Sequence, residues 1–435
     1  MEIRQQLQKA LLLLGVMALF AACSDGKSEK KDDAPEVVER TVLVYMMGDN
    51  TLSSSVSTNW LQIKEGAAVA ETFDDLLVYV DQYKKTPVLY KLFSDGTAQV
   101  VKEYDEQNSA SGAVFAQVLN DVFGNYPNNE KGLILWSHGE GWKYEESKYG
   151  SRTKSMAEWE EQPEPNGDYI MTKWIGQDLE TPEGGEHYLN IPDLKQALRE
   201  TGTHLDFMIC DACFMGSVEV AYELRNEVDN FVISPAEIMG NNSFYPDHTG
   251  FPYKQLVSLV FKKQINYKAV ALAFYDYYND LPIYGGMSDL MRSATVSWVV
   301  SEKLDSLAIF THALLNKHLK ADSLSYLNVE GVQTYDRSST RSYHLYYDLE
   351  HVVSRIVADN DKTALNKWRS LLGRCVKAEY HTDRVFGQKM FSVCGLSVYV
   401  PQRASGKQEY KYDELGWYED AGWSMLPGWS VGQEN

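Results

Sequence analysis

Basic residues are in short supply in this chain. Its 41 lysines and arginines stand against 61 aspartates and glutamates, a formal charge of −20. That deficit argues against nucleic acid as the main partner and favours a positively charged one. Cysteine is scarce too, five in 435 residues. A chain this long can be stable without disulfides, so no disulfide scaffold is implied. No apolar run has the length of an ordinary membrane span: the stretch Ala10 to Ala22, broken by Gly15, suits the core of a signal peptide. Internal repeats and EF-hand-like spacing are lacking. Cys210 and Cys213 form a C-x-x-C, but no second ligand pair with zinc spacing lies near Cys375 or Cys394. A thioredoxin-like context is missing as well, which leaves Cys210 as a buried structural thiol.

The N-terminus reads as an export and anchoring signal. Arg4 and Lys9 precede the apolar run, which ends Leu19-Phe20-Ala21-Ala22-Cys23. Small residues directly before a cysteine match a bacterial lipoprotein cleavage site, with residues 1–22 removed and Cys23 lipidated. Residues 23–39 are polar and charged and read as a disordered tether. The expectation is a lipid-anchored protein of the bacterial cell envelope, on the outer membrane or cell surface.

Strand-length apolar runs then alternate with helical patterns. Strands are expected at Val42 to Met47, Leu76 to Val80, Gly132 to Trp136 and Phe207 to Cys210, with a hairpin around Asp95-Gly96. Helices are expected at Asn59 to Thr72, Ala110 to Phe123, Ile191 to Arg199 (Asn190 as N-cap) and Ser217 to Arg225. This alternation implies an α/β fold with a mostly parallel sheet and helices on both faces. The reading divides the chain into a catalytic domain at 40–295 and a largely helical C-terminal region at 296–435, with a late strand near 391–400. Between Lys143 and Ile175 lies a polar, charged stretch without helix or strand period. A long stretch of this kind inside a compact domain is usually functional or mobile.

Two runs stop abruptly at reactive side chains. One is Leu133-Ile134-Leu135-Trp136-Ser137-His138-Gly139-Glu140-Gly141-Trp142; the other is Phe207-Met208-Ile209-Cys210-Asp211-Ala212-Cys213-Phe214-Met215-Gly216. Chemistry in open parallel sheets gathers beyond the carboxyl ends of the strands, so a histidine after one and a cysteine after another can meet. A thiolate is a nucleophile, and an imidazole beside it supplies the leaving group's proton. Together these runs resemble the clostripain family of cysteine peptidases, in the wider caspase, legumain and gingipain group. Weaker matches are Thr41 to Leu52, Gly250-Phe251-Pro252-Tyr253 and Gly395 to Pro401, so the resemblance extends from residue 41 to 401.

The resemblance implies a caspase-like αβα sandwich and a cysteine endopeptidase cutting after Arg or Lys through an acyl-enzyme. Cys213 would be the nucleophile, with His138 as general base and acid. The Gly139 and Cys213 N–H groups would form the oxyanion hole. Should His138 not serve, His187, His204 and His248 are its rivals. Asp211 would read the basic side chain of the substrate, with Glu237 or Asp247 as a second acid. Asp49 would sit at the end of the first strand and border the substrate site. No metal or cofactor is required; calcium is possible by resemblance, though no motif supports it. The partners are protein or peptide substrates and, through Cys23, a membrane. Two other readings remain: a catalytically silent surface-binding lipoprotein on a peptidase fold, and a cysteine amidase or transpeptidase acting on cell-wall peptides.

Overall fold

The runs of Val, Leu, Ile and Tyr with no polar interruption become strands buried on both faces. Their alternate side chains feed two separate cores. The computed structural model describes residues 38–143, 148–149, 175–179, 184–319, 329–337, 344–357, 361–400, 415–422 and 426. The signal segment at 1–22 and Cys23 lie outside the described residues. β1 is Val38–Gly48 and so begins inside the stretch expected as tether. On it, Leu43, Tyr45 and Met47 enter one core, while Val42, Val44 and Met46 enter the other. A period of two on a fully buried strand has this outcome, and it requires covering layers on both sides.

β1 is flanked in parallel by β2 (Asp75–Gln82) and β5 (Asn128–Trp136). β5 pairs in parallel with β9 (Leu205–Asp211), and β9 with β10 (Val228–Ile233). Antiparallel strands finish both edges. β3 (Lys85–Leu92) and β4 (Ala98–Glu103) follow β2, while β11 (Thr295–Val300) and β13 (Val376–His381) follow β10.

Helices cover each face, as an αβα sandwich requires. Beside Val42, Val44 and Met46 pack α1 (Ser53–Val69), through Val56, Ile63 and Ala67, then α5 (Tyr253–Val260) and α6 (Tyr267–Asn279). On the other face lie α2 (Gly112–Phe123), α3 (Ile191–Glu200) and α4 (Val218–Glu223). They are joined there by α7 (Leu304–His318), α8 (Leu349–Val357) and α9 (Lys362–Cys375). α4 is capped by Ser217, whose Oγ accepts from the Val220 N–H. α1 starts well before the expected Asn59. Its serine-rich first turn reads as loop in sequence, but Ser55 is buried and its Oγ accepts a hydrogen bond from Thr249 Oγ1 at 3.2 Å.

The late strand is shorter than 391–400 and pairs elsewhere. β16 (Ser397–Val398) forms a two-stranded ladder with β12 (Tyr347–Asp348), not with the main sheet. The stretch from 143 to 175 contains β6 (Lys148–Tyr149), which pairs with β8 (Gly185–Tyr188); β8 pairs in turn with β7 (Gln177–Asp178). Most of the remaining segment, including Arg152 and Lys154, lies outside the described residues. Among the described residues, no helix is long and apolar enough to cross a membrane.

Candidate active site

β5 and β9 end together. Their last registered pair is Trp136 with Asp211, and the Ser137 N–H donates to the Asp211 carbonyl at 3.3 Å. His138 and Cys213 each stand two residues beyond that pair. The two loops then touch: a Cβ on Gly141 would lie 2.3 Å from the Phe214 carbonyl oxygen, and Gly141 has a φ of +60°. Only glycine permits both the approach and the backbone angle at no steric cost.

A polar knot holds the histidine loop. Asn50 Nδ2 donates to the Met47 carbonyl at 2.8 Å, to the Gln177 carbonyl at 2.9 Å and to Ser137 Oγ at 3.3 Å. Ser137 Oγ in turn donates to the Met47 carbonyl at 2.9 Å. The knot fixes the turn after β1 against the turn after β5. Thr51, next to Asn50, thereby places its Oγ1 2.6 Å from His138 Nε2. Thr51 thus engages Nε2 of the imidazole. Burial alone pushes the His138 imidazole down to about 4.

The cysteine loop is held by the segment after β10. Phe214 N–H donates to the Ala236 carbonyl at 3.0 Å, and Gly216 N–H to the Ser234 carbonyl at 2.7 Å. Cys213 Sγ accepts from the Ile238 N–H at 3.3 Å. Gly216 has no room for a side chain, since a Cβ there would lie 2.4 Å from the Pro235 nitrogen. Burial lifts the Cys213 thiol up to about 12, and the nearby carboxylates Glu237, Asp211 and Glu140 push the same way. Cys210 is fully buried, and burial raises its thiol further still. The described cysteines, Cys210, Cys213, Cys375 and Cys394, are all free.

Asp211 faces inward. Its Oδ2 accepts from the Phe251 N–H at 3.1 Å and from the Tyr253 hydroxyl at 3.0 Å. Burial raises its carboxyl to about 7 against the pull of those two donors. Here the Gly-Phe-Pro-Tyr element has a physical job: Gly250, at φ +64°, passes so close that a Cβ would lie 2.2 Å from Asp211 Oδ2. Glu237 is also buried and carries a two-pronged ion pair with Arg337, Nη2 to Oε2 at 2.6 Å and Nε to Oε1 at 3.1 Å. Asp247 is exposed. Gly139 is buried and bridges Ile175, with the His138 carbonyl accepting from Gly176 N–H at 3.0 Å. The rival histidines have other surroundings: His187 is buried 3.1 Å from the Gly184 carbonyl, His204 lies 3.1 Å from Asp229, and His248 stacks on Tyr277.

Asp49 is buried at the end of β1. It belongs to a group in which oxygens of Asp49, Asp81 and Glu106 lie within 4.8 Å of one another. Asp81 is fully buried among these acids, and the Ser109 hydroxyl is the hydrogen-bond donor that acts on its carboxylate. This all-oxygen donor set is of the kind that suits a hard cation such as calcium.

Residues from late in the chain complete the surroundings. Tyr346 stacks on Phe214 with ring centres 4.3 Å apart, and its hydroxyl donates to the Glu140 carbonyl at 2.5 Å. Tyr399 packs on Trp142 at 4.5 Å, and Ser397 N–H donates to the Gly216 carbonyl at 2.9 Å. Sequence reasoning missed Thr51, Tyr346 and Arg337. Only Thr51 had a signal, its place in the Asp-Asn-Thr turn after β1.

The model of the clostripain family, Peptidase_C11, matches residues 44–429. The chain belongs to the clostripain family. It is a cysteine peptidase, and its fold is the α/β fold of solved members. One of these is an inactive zymogen C11 protease from Parabacteroides distasonis. It is 30% identical, with 89% of this chain and 99% of that chain covered and a TM-score of 0.68. Another is a secreted C11 cysteine protease from Bacteroides thetaiotaomicron, solved in complex with an irreversible peptide inhibitor. It is 29% identical, with 89% and 100% covered and a TM-score of 0.69. No curated protein matches the sequence.

Proposed function

We propose that this clostripain-family peptidase is a cell-envelope endopeptidase that cuts after Arg or Lys, with Cys213 as nucleophile and His138 as its base. The observation that carries the reading is the register of β5 and β9, which brings the turns bearing His138 and Cys213 off one sheet end. With Thr51 on Nε2, His138 has Nδ1 to offer the thiol. Both groups start neutral, so attack on the scissile carbonyl transfers the Cys213 proton to His138. The imidazolium then returns that proton to the leaving amine, and water, deprotonated by His138, hydrolyses the thioester. The N–H groups of Gly139 and Cys213 are the proposed donors to the oxyanion, worth about 3 kcal/mol each in such sites.

Selectivity for a basic residue is supported by the carboxylates of Glu237, Asp211 and Glu140, which all act on the Cys213 thiol. Asp211 takes part by keeping the loop in place and adding negative potential rather than by direct grip, since Phe251 and Tyr253 hold its Oδ2. Asp49 orders the turn before Thr51. Lipidation at Cys23 would hold the enzyme on the envelope.

The test is cleavage of a peptide library by wild type, Cys213→Ala and His138→Ala, with Cys210→Ala as control. Cleavage after Arg and Lys should fall at least about a thousandfold in the first two variants and persist in the third. Full activity without Cys213 would remove the mechanism. A library profile with acidic or apolar residues before the cut would remove the specificity. In cells, Cys23→Ala should leave the membrane fraction; unchanged fractionation would exclude the anchor.

A further inference from the structure

Glu237 is a buried carboxylate beside the cysteine loop, and it is already engaged by a guanidinium of the same chain. The segment from Ala236 to Ile238 lies along the cysteine loop, with the Ala236 carbonyl on Phe214 N–H and the Ile238 N–H on Cys213 Sγ. Glu237 therefore sits between two contacts to the residues on which the acyl-enzyme would form. Both of its oxygens are taken by Arg337, at 2.6 and 3.1 Å, in the parallel fork that a carboxylate-floored pocket offers an arginine substrate. The guanidinium also lies over the Phe386 ring, 5.1 Å from its centre. It thus has a floor and a wall, as a bound side chain would.

Arg337 does not come from the strands that carry the catalytic candidates. Its backbone is fastened one residue earlier. There Asp336 accepts from the Leu345 N–H at 2.8 Å and pairs with His344 Nδ1 at 3.1 Å. The backbone at 336 is thus fixed independently of what Arg337 does. The side chain can leave Glu237 while its backbone stays anchored. Two guanidinium groups cannot both fork onto one carboxylate, so an incoming Arg or Lys either displaces Arg337 or goes without that partner.

We infer that Arg337 is a specificity-determining residue that competes with the substrate's basic side chain for Glu237. The inference rests on the reading that the enzyme cuts after basic residues. It adds that the preference is held down by an internal arginine, and that the exchange of one cation for another on Glu237 is a step of substrate binding. A purely structural ion pair would instead tie the 329–337 segment to the site and affect all substrates alike.

The experiment compares two reporter peptides that differ only in the residue before the cut, arginine in one and norleucine in the other. Wild type, Arg337→Met, Arg337→Lys, Glu237→Gln and the Glu237→Gln/Arg337→Met double variant are assayed on both, with melting temperatures alongside. In Arg337→Met the ratio of kcat/KM for arginine over norleucine should rise about tenfold, chiefly through KM. Arg337→Lys, which keeps the charge but loses the fork, should give a smaller rise and carries the test if the methionine variant does not fold. The double variant should lose the gain, because no carboxylate is left to compete for. A ratio that stays constant or falls in both Arg337 variants overturns the inference while leaving the proposed activity standing. Norleucine cleavage with none after arginine in any variant overturns the basic-residue reading first, and this inference with it.

Discussion

Burial holds the His138 imidazole down to about 4 and lifts the Cys213 thiol up to about 12. On the proposed mechanism both groups therefore start uncharged at neutral pH, and the energy of making an ion pair falls on the step that attacks the substrate. The imidazole must then already point the right nitrogen at the thiol when substrate arrives. Thr51, 2.6 Å from Nε2, is the side chain that sets this orientation. Thr51→Val keeps the shape and removes the polar contact. It should lower kcat about tenfold, the worth of one misdirected hydrogen bond of about 1 kcal/mol or slightly more, with little change in KM or melting temperature. Thr51→Ser should recover most of the rate. If both variants lose stability and KM together, Thr51 is only a packing residue.

At the scale of elements, the carboxyl end of β2 holds an unusual concentration of acid. Asp81 is fully buried, and burial followed by the charge of Asp178 raises its carboxyl well above the ordinary range. Asp178 is better served, since its Oδ2 accepts from Ser109 N–H at 2.7 Å and Oγ at 3.0 Å. A carboxyl whose folded pKa is raised favours the folded state while it is protonated. That contribution is complete below the unfolded value, about 3.9, and is lost as pH rises through the folded value. Asp81→Asn removes the titration and keeps the shape. Its melting temperature should exceed that of wild type at pH 8, by about 1 °C for each kcal/mol relieved in a chain of this length, and the gap should close towards pH 4. A lower melting temperature of Asp81→Asn than of wild type at pH 8, together with stabilisation of wild type by calcium, would mean that Asp81 has a cationic partner.

For the whole molecule, what could be read from sequence depended on whether the parts of a feature are neighbours in the chain. The central strands and the two reactive loops were legible because each is a contiguous run with one signature: apolar residues, then a break. β13 was not, since Val376–His381 is a half-exposed edge strand with alternating polar residues and no buried run. The expectation of a helical C-terminal part overlooked that β11 and β13 extend the main sheet there. Thr51 and His138 are 87 residues apart, and Glu237 and Arg337 are 100 apart. No local pattern announces such pairs, because only the folded sheet sets their distance. Asp211 shows the intermediate case: its position was marked, but its inward hydrogen bonds were not.

The contacts of Tyr346, Ser397 and Tyr399 also bear on timing. Cys213, the proposed nucleophile, is made long before the residues around it, because a chain synthesised from its N-terminus has released Cys213 when the residues that brace Phe214, Trp142 and the Gly216 carbonyl are still to come. Phe214 holds a φ of +58°, an arrangement that costs free energy in a residue with a side chain and persists only where surrounding packing enforces it. The Tyr346 ring, stacked on Phe214, is part of that packing. A chain built this way cannot complete the packing around Phe214, Trp142 and the Gly216 carbonyl until residues 346–399 have been made.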